Sequence, residues 1–291
     1  MQLVFHTGAH FTEEERMVKC LLRNKELFAS RGVVVPGPSR YRSLIRDAVL
    51  SLESGHASEA AREVLLDAIL DDASADRVLL SIVHLFGVPR AVLRRGVLYP
   101  KAPERLSSLA SLFAQDDLEV FMCIRNPATF LPACMKKSPR DSVTEFLKGA
   151  NPLGIRWSET VAQMRAAAPE IPITIWCNED APLLWSQVVR EIGGLEHGDY
   201  VTGGFDLLAD IMSKEGMARF IAYLKSKPKM NEIQLRRVMV AFLEKFARAE
   251  AVEEEIDAPE WTPALVAQMT EVYDEDVMAL ARIPGVSLIS P

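Results

Sequence analysis

The run Leu3-Val4-Phe5-His6-Thr7-Gly8-Ala9-His10-Phe11-Thr12, followed by Glu13-Glu14-Glu15-Arg16, sets the reading of the whole chain. Its apolar start reads as a strand, its centre as a tight loop and its charged end as an amphipathic helix. A strand that enters a helix N-terminus through such a loop turns several backbone N–H groups toward one point. That arrangement cradles phosphate in many nucleotide-handling folds. The three glutamates oppose that use, because a phosphate site wants small residues and a cation. Thr12-Glu13-Glu14-Glu15 also fits a capping box, with Thr12 accepting from the Glu15 backbone and Glu15 reaching back to Thr12. Acidic residues suit the positive end of the helix dipole by ~0.3–1 kcal/mol each. A helix capped in this way satisfies its own N–H groups and needs no phosphate. Unit charges about 4 Å apart repel by ~4 kcal/mol at an effective dielectric of about 20, which a bound polyanion would feel. Arg16 reads either as a replacement cation or as the surface ion-pair partner of Glu13 or a neighbour.

Working outward, strand and helix signals alternate through residues 1–195. Met17, Cys20, Leu21, Leu27 and Phe28 follow helical spacing, interrupted by Asn24, and Arg31-Gly32 ends the helix. Val33-Val34-Val35 predicts a second strand, stopped by Pro36-Gly37-Pro38. Helices are expected over Tyr41–Leu52 and Ala57–Leu70, then a buried strand over Arg77–Val83. A helix at Glu104–Phe113 leads to the strand Leu118–Ile124, which runs into Arg125-Asn126-Pro127. Ile171–Trp176 is the last clear strand, followed by a helix from Pro182 to about Ile192. Near-continuous apolar strands separated by helices imply a mostly parallel sheet covered on both faces. Ligands of such sheets sit beyond the strand carboxyl ends. There the sequence places the His6–Thr12 loop, His84-Leu85-Phe86-Gly87 and Arg125-Asn126-Pro127.

The last third reads as helical. Asn231 caps a helix whose Leu235, Val238, Met239, Phe242, Leu243 and Phe246 form one apolar face. Glu253-Glu254-Glu255-Ile256-Asp257 reads as a solvated loop. Thr262-Pro263 starts a last helix, with apolar residues from Leu265 to Leu280, before Pro284-Gly285 stops it. The expected organisation is one domain, an α/β core at 1–195 with a helical C-terminal cap at 196–291 packed on it.

With 291 residues, 49% of them hydrophobic, the chain builds a core that needs no staples. Its net charge of −7 argues against nucleic acid and anionic membrane as partners. Cys20, Cys123, Cys134 and Cys177 form no C-x-x-C pair and read as reduced, buried thiols of a cytoplasmic protein. No stretch approaches the ~18 apolar residues of a membrane span, and the N-terminus has no secretory pattern.

The opening strand–loop–helix, the Arg-Asn-Pro after an internal strand and the helical tail together resemble sulfotransferases, most nearly the bacterial sulfotransferase-like proteins. Ile175-Trp176-Cys177-Asn178-Glu179-Asp180 and Ile283-Pro284-Gly285-Val286 extend the likeness. The resemblance implies a three-layer α/β/α, P-loop-like fold. It also implies transfer of a sulfuryl group from 3′-phosphoadenosine 5′-phosphosulfate (PAPS) to an unknown hydroxyl acceptor, without a metal. The family's first loop reads His-x-Gly-x-x-Lys-Thr-Gly-Thr-Thr and holds the 5′-phosphosulfate. His6, Gly8 and Thr12 match it, and Arg125 matches the 3′-phosphate site. The departures are Phe11 for the lysine, Glu13, Glu14 and Glu15 for Gly-Thr-Thr, and Ala133 for the serine eight residues after the arginine. Ser138, five residues further on, would substitute for that serine only by a different backbone path. These departures favour a second expectation, a member of the fold that has lost its donor site and acts as a binding or assembly module.

Among the remaining candidates, His84 follows a strand and is the expected catalytic base, with a satisfied core histidine as the plainer reading. Ser81 would contact the cofactor. His6 and His10 would make a metal pair only with a carboxylate from elsewhere, and their spacing is no metal signature. His10 would alternatively donate to an anion in place of the absent lysine. Arg125 either grips phosphate through its planar fork or pairs with Glu179 or Asp180. Lys136-Lys137-Ser138-Pro139-Arg140 is a compact basic cluster, and His56 and His197 read as solvent-facing. Trp157, Trp176, Trp185 and Trp261 read as core or pocket wall. No Gly-x-x-x-x-Gly-Lys-Ser/Thr, Gly-x-Ser-x-Gly or His-Glu-x-x-His occurs, which disfavours ATP or GTP hydrolysis and the common hydrolases.

Overall fold

Six strands with apolar residues on both faces form one parallel sheet. They are β1 (Gln2–His6), β2 (Val33–Val34), β3 (Arg77–Ser81), β6 (Asp117–Ile124), β7 (Ile173–Cys177) and β8 (Val286–Ile289), in the order β2-β3-β1-β6-β7-β8. A separate antiparallel pair, β4 (Leu93–Arg94) and β5 (Val97–Leu98), lies in the β3–β6 connection. The computed structural model describes residues 1–13, 15–53, 60–71, 73–227, 230–252 and 256–291. Glu14, His56, the expected helix start at Ala57 and Glu253–Glu255 lie outside the described residues.

The pleat sorts the core. Leu3, Phe5, Val78, Leu80, Val120, Met122, Ile173 and Ile175 face one layer, while Val4, Leu79, Phe121, Cys123 and Trp176 face the other. The second face is covered by α1 (Glu15–Arg23), α2 (Lys25–Ala29) and α9 (Ala181–Gly193). The first takes α3 (Arg42–Glu53), α4 (Ala61–Leu70), α5 (Ala102–Leu112), α6 (Pro127–Met135), α7 (Val143–Leu147), α8 (Trp157–Ala167) and α14 (Pro263–Leu280). The three-layer α/β/α expectation therefore holds. Adjacent strands β1 and β6 feed helices on opposite faces, α1 and α6, and this reversal opens a crevice at their carboxyl ends.

Three local readings need correction. The stripe from Met17 to Phe28 is two helices, because the buried Asn24 leaves the helical pattern to bind the Thr202 backbone. Its Nδ2 donates to the Thr202 carbonyl at 2.9 Å and its Oδ1 accepts from the Thr202 N–H at 2.8 Å. Ile173–Cys177 is not the last strand: β8 follows Pro284-Gly285 and pairs with β7, so the C-terminal third is not wholly helical. Nor does the tail behave as one cap. From α14, Met269, Tyr273 and Leu280 enter the main core. By contrast α10 (Asp206–Ile211), α11 (Lys214–Lys225) and α12 (Glu232–Phe246) build a small cluster of their own around Leu208, Met212, Phe220 and Met239. A short α13 (Ala249–Val252) follows it. The expected caps are present: Asn231 and Gln234 form a capping box, and Thr262 accepts from Leu265 N–H.

Packing under α9 is tight enough to predict a result. A Cβ at Gly193 would lie 2.1 Å from Cε1 of the fully buried Phe28. Gly193→Ala is expected to cost about 1–3 kcal/mol of stability by overpacking, measured by urea denaturation. Shortening the obstacle in Phe28→Leu/Gly193→Ala should relieve part of the clash, and strictly additive losses would argue against it.

Candidate functional site

The parallel register brings the carboxyl ends of β3, β1 and β6 side by side, and with them the three loops expected to meet there. The first loop extends the ladder for a few residues, since Thr7 N–H donates to Phe121 O and Ala9 N–H to Cys123 O. Gly8 then takes a left-handed φ of 52°, which glycine adopts without strain, and Phe11 takes 59°, which costs a bulky side chain. The turn carries Glu13 back over the loop. Its Oε1 would lie 3.8 Å from a Cβ at position 8.

The result is a buried polar chain. His6 Nε2 donates to Glu13 Oε1 at 2.6 Å, and His6 Nδ1 lies 2.9 Å from Ser81 Oγ at the end of β3. All three residues are buried, and the His6 ring stacks on Trp176 at 6.1 Å. Burial alone pushes the Glu13 carboxyl up. The hydrogen bond and charge of His6, the Cys123 thiol and its own backbone N–H together outweigh burial and hold it below the ordinary value of 4.5. Glu13 is thus an ionised internal anion inside the loop, just ahead of the positive end of α1.

A second chain runs outward beside it. Tyr99 Oη accepts the His10 backbone N–H at 2.9 Å and stands 2.6 Å from His10 Nδ1, so its proton goes to that nitrogen. His10 Nε2–H is then directed at His84 Nδ1, 2.7 Å away. Burial, then the neighbouring His84, lower the His10 pKa to about 4, which keeps this ring neutral near pH 7. Tyr99 is buried against Trp157 and Phe130, whereas His84 is exposed. His84 lines a pocket of about 260 Å³ with Glu15, Arg42, Arg46, Ile82 and Val83. Arg42 is fixed there, its Nε donating to Ser81 O at 2.9 Å and its Nη1 to Glu15 Oε1 at 2.6 Å.

Several expected roles change in consequence. The capping box does not form: Thr12 Oγ1 donates to Ala9 O at 2.8 Å, and Glu15 pairs with Arg42. Arg16 pairs with Asp210, not with Glu13. His6 and His10 face different partners, and no group of three metal-ligating side chains is found among the described residues. His84 is no core histidine, and His10, being neutral, does not replace the lysine's charge.

Arg125 reaches across the crevice, its Nη1 donating to Phe11 O at 2.5 Å and its Nε to Thr129 Oγ1 at 2.9 Å. Glu179 is turned to Asn126 N–H and Tyr273 Oη instead. Ser138 follows the nine-residue α6, which spans ~14 Å at 1.5 Å per residue, so it lies at the end away from Arg125. Its hydroxyl accepts locally from Arg140 N–H, and neighbouring Lys136 pairs with Asp257. Trp157, Trp176 and Trp185 are core, and His197 is exposed.

Tyr99 and Arg42 went unforeseen. Tyr99 lies in no patterned segment, Arg42 only opens an expected helix, and their partners are 89 and 39 residues away in sequence. No helix among the described residues is long and apolar enough to cross a membrane. No family model matches this chain, and no curated protein matches it either.

Proposed function

We propose that this chain is a degenerate sulfotransferase-like protein that acts as a binding or assembly module and does not use PAPS. The observation that carries this reading is the Glu13 carboxyl group, buried inside the first loop and bonded to His6 at 2.6 Å. It occupies with protein charge the place where the resemblance puts the phosphosulfate. Three loop N–H groups, those of Thr7, Ala9 and His10, already have protein acceptors. With Phe11 in the lysine position, an incoming polyanion would meet a carboxylate and no loop cation. Four free, buried cysteines support a cytoplasmic setting.

A second reading keeps catalysis. His84 stands at the mouth of a pocket, oriented through Nδ1 by His10 and Tyr99, as an acid–base group would be. In that account sulfuryl transfer to a hydroxyl acceptor runs with Arg125 on the 3′-phosphate.

Calorimetric titration with adenosine 3′,5′-bisphosphate separates the two. No binding at millimolar ligand is expected. Micromolar binding, about 8 kcal/mol, that disappears in Arg125→Ala would overturn the module and reinstate the transferase.

A further inference from the structure

A further cavity lies away from the loops, between α9, the segment after it, α11 and α12. It measures about 480 Å³, within the ~300–1,000 Å³ typical of small-molecule sites. Its walls include Val201, Phe205, Ile221, Leu224, Met230 and Leu235. Five of these six stay only half-buried, and Phe205, Ile221, Leu224 and Leu235 among them also pack against the small core around Leu208 and Phe220. Converging half-buried apolar side chains mark a site for an apolar body.

The rim specifies the charge of that body. Arg190, Lys225 and Lys227 border the cavity with two carboxylates, Glu232 and Asp199. Both carboxylates are engaged by cations: Glu232 pairs with Arg190, and Asp199 with Arg31. Lys225 and Lys227 are exposed at the end of α11, so the mouth is locally positive in a chain of net charge −7. Lysines at a helix C-terminus are also favoured by its dipole. A neutral ligand would leave that rim unused, and a cationic one would be repelled by it.

From the apolar walls and cationic rim we infer that this cavity binds a small amphipathic anion, an apolar chain or ring system bearing one carboxylate-type head group. The chain or rings lie among Phe205, Ile221, Leu224 and Leu235, and the head group meets Lys225 and Lys227. The site shares no residue with the His6–Thr12 loop or the His84 pocket, so it is independent of what the donor loop does.

The test is calorimetric titration of the full chain with decanoate, with decyltrimethylammonium and decanol as cationic and neutral analogues of equal length. Decanoate is expected to bind with a micromolar Kd, at least tenfold tighter than either analogue. Lys225→Glu/Lys227→Glu exchanges two attractions for two repulsions and should raise its Kd about tenfold. Leu235→Trp, checked for folding by its melting temperature, should fill the cavity and abolish binding. Absence of binding at millimolar decanoate, equal affinity for the cationic analogue, or unchanged binding in a folded Leu235→Trp variant would each overturn the assignment.

Discussion

Glu13→Ala is expected to be the most damaging single substitution at the loop, lowering stability by about 1–3 kcal/mol, because it leaves the buried His6 ring nitrogen without its hydrogen-bond partner. Glu13 and His6 are 4% and 1% exposed, and their bond is 2.6 Å. His6 cannot turn to water for a substitute, since its ring is held between Ser81 and Trp176. Glu13→Gln preserves an acceptor oxygen and should lose less. The two variants also separate charge from hydrogen bonding through pH. The folded-state pKa of Glu13 is depressed, so its ionised form contributes stability that is fully present above the unfolded value near 4.5. That contribution drains away as pH falls below 4.5 through the folded value. Wild type should therefore lose stability relative to Glu13→Gln over that acid window, while at pH 7 the gap is constant. Urea denaturation from pH 7 to pH 3.5 measures it. Parallel stability curves for wild type and Glu13→Gln would mean that the carboxylate carries no charge in the folded loop.

The second large effect belongs to Asp276, which holds the C-terminal region to the core from α14. This carboxylate is 4% exposed and accepts from the backbone N–H of Trp157 at 2.6 Å and of Ser158 at 3.2 Å, with the Ser158 hydroxyl as a further donor. Helix α8 has no cap of its own, as Arg156 makes no side-chain capping bond, so a residue some 120 positions later supplies one. Asp276→Ala strands two N–H groups at about 1–3 kcal/mol for each buried, unpaired group. The expected net loss is about 2–4 kcal/mol, with partial retention in Asp276→Asn. The exposed Asp274→Ala is the control and should stay within about 0.5 kcal/mol of wild type. Equal losses at 274 and 276 would remove Asp276 from this role. The effect should extend to the crevice, because Trp157 Nε1 donates to the Arg125 carbonyl at 2.8 Å.

Most of the sheet is legible from the chain alone, and the reason lies in particular runs. Leu3-Val4-Phe5, Arg77–Ser81 and the long apolar stretch to Ile124 are buried on both faces, so nearly every residue of each run carries the signal. The edge strand β8 shows only four residues, one of them buried, directly after a helix stop, and nothing local separates it from a frayed tail. What makes it a strand is β7, whose open edge takes its backbone N–H and C=O groups. Asn24 is similar: it reads as a flaw in a helical stripe until Thr202 supplies its partners.

At the site the division falls between position and polarity. Apolar periodicity and the right-handed parallel connections bring the first loop, His84 and Arg125 to one edge, because burial is a property that each segment declares by itself. The direction in which Glu13 points is not declared locally. A capping box and an inward anion use the same Thr-x-x-Glu letters, and the choice depends on whether a left-handed turn at Gly8 and Phe11 carries the carboxylate onto His6. Likewise His10 is neutral because it is buried with Tyr99 and His84, which reach it from two other segments. Hydrophobic pattern thus settles where the chain goes, being local and cumulative. Partnering of polar groups rests on ångström distances that the hydrophobic pattern does not carry, between residues as near in sequence as His6 and Glu13 or as far as His10 and Tyr99, and here those distances turn an apparent phosphate loop into one closed by its own carboxylate.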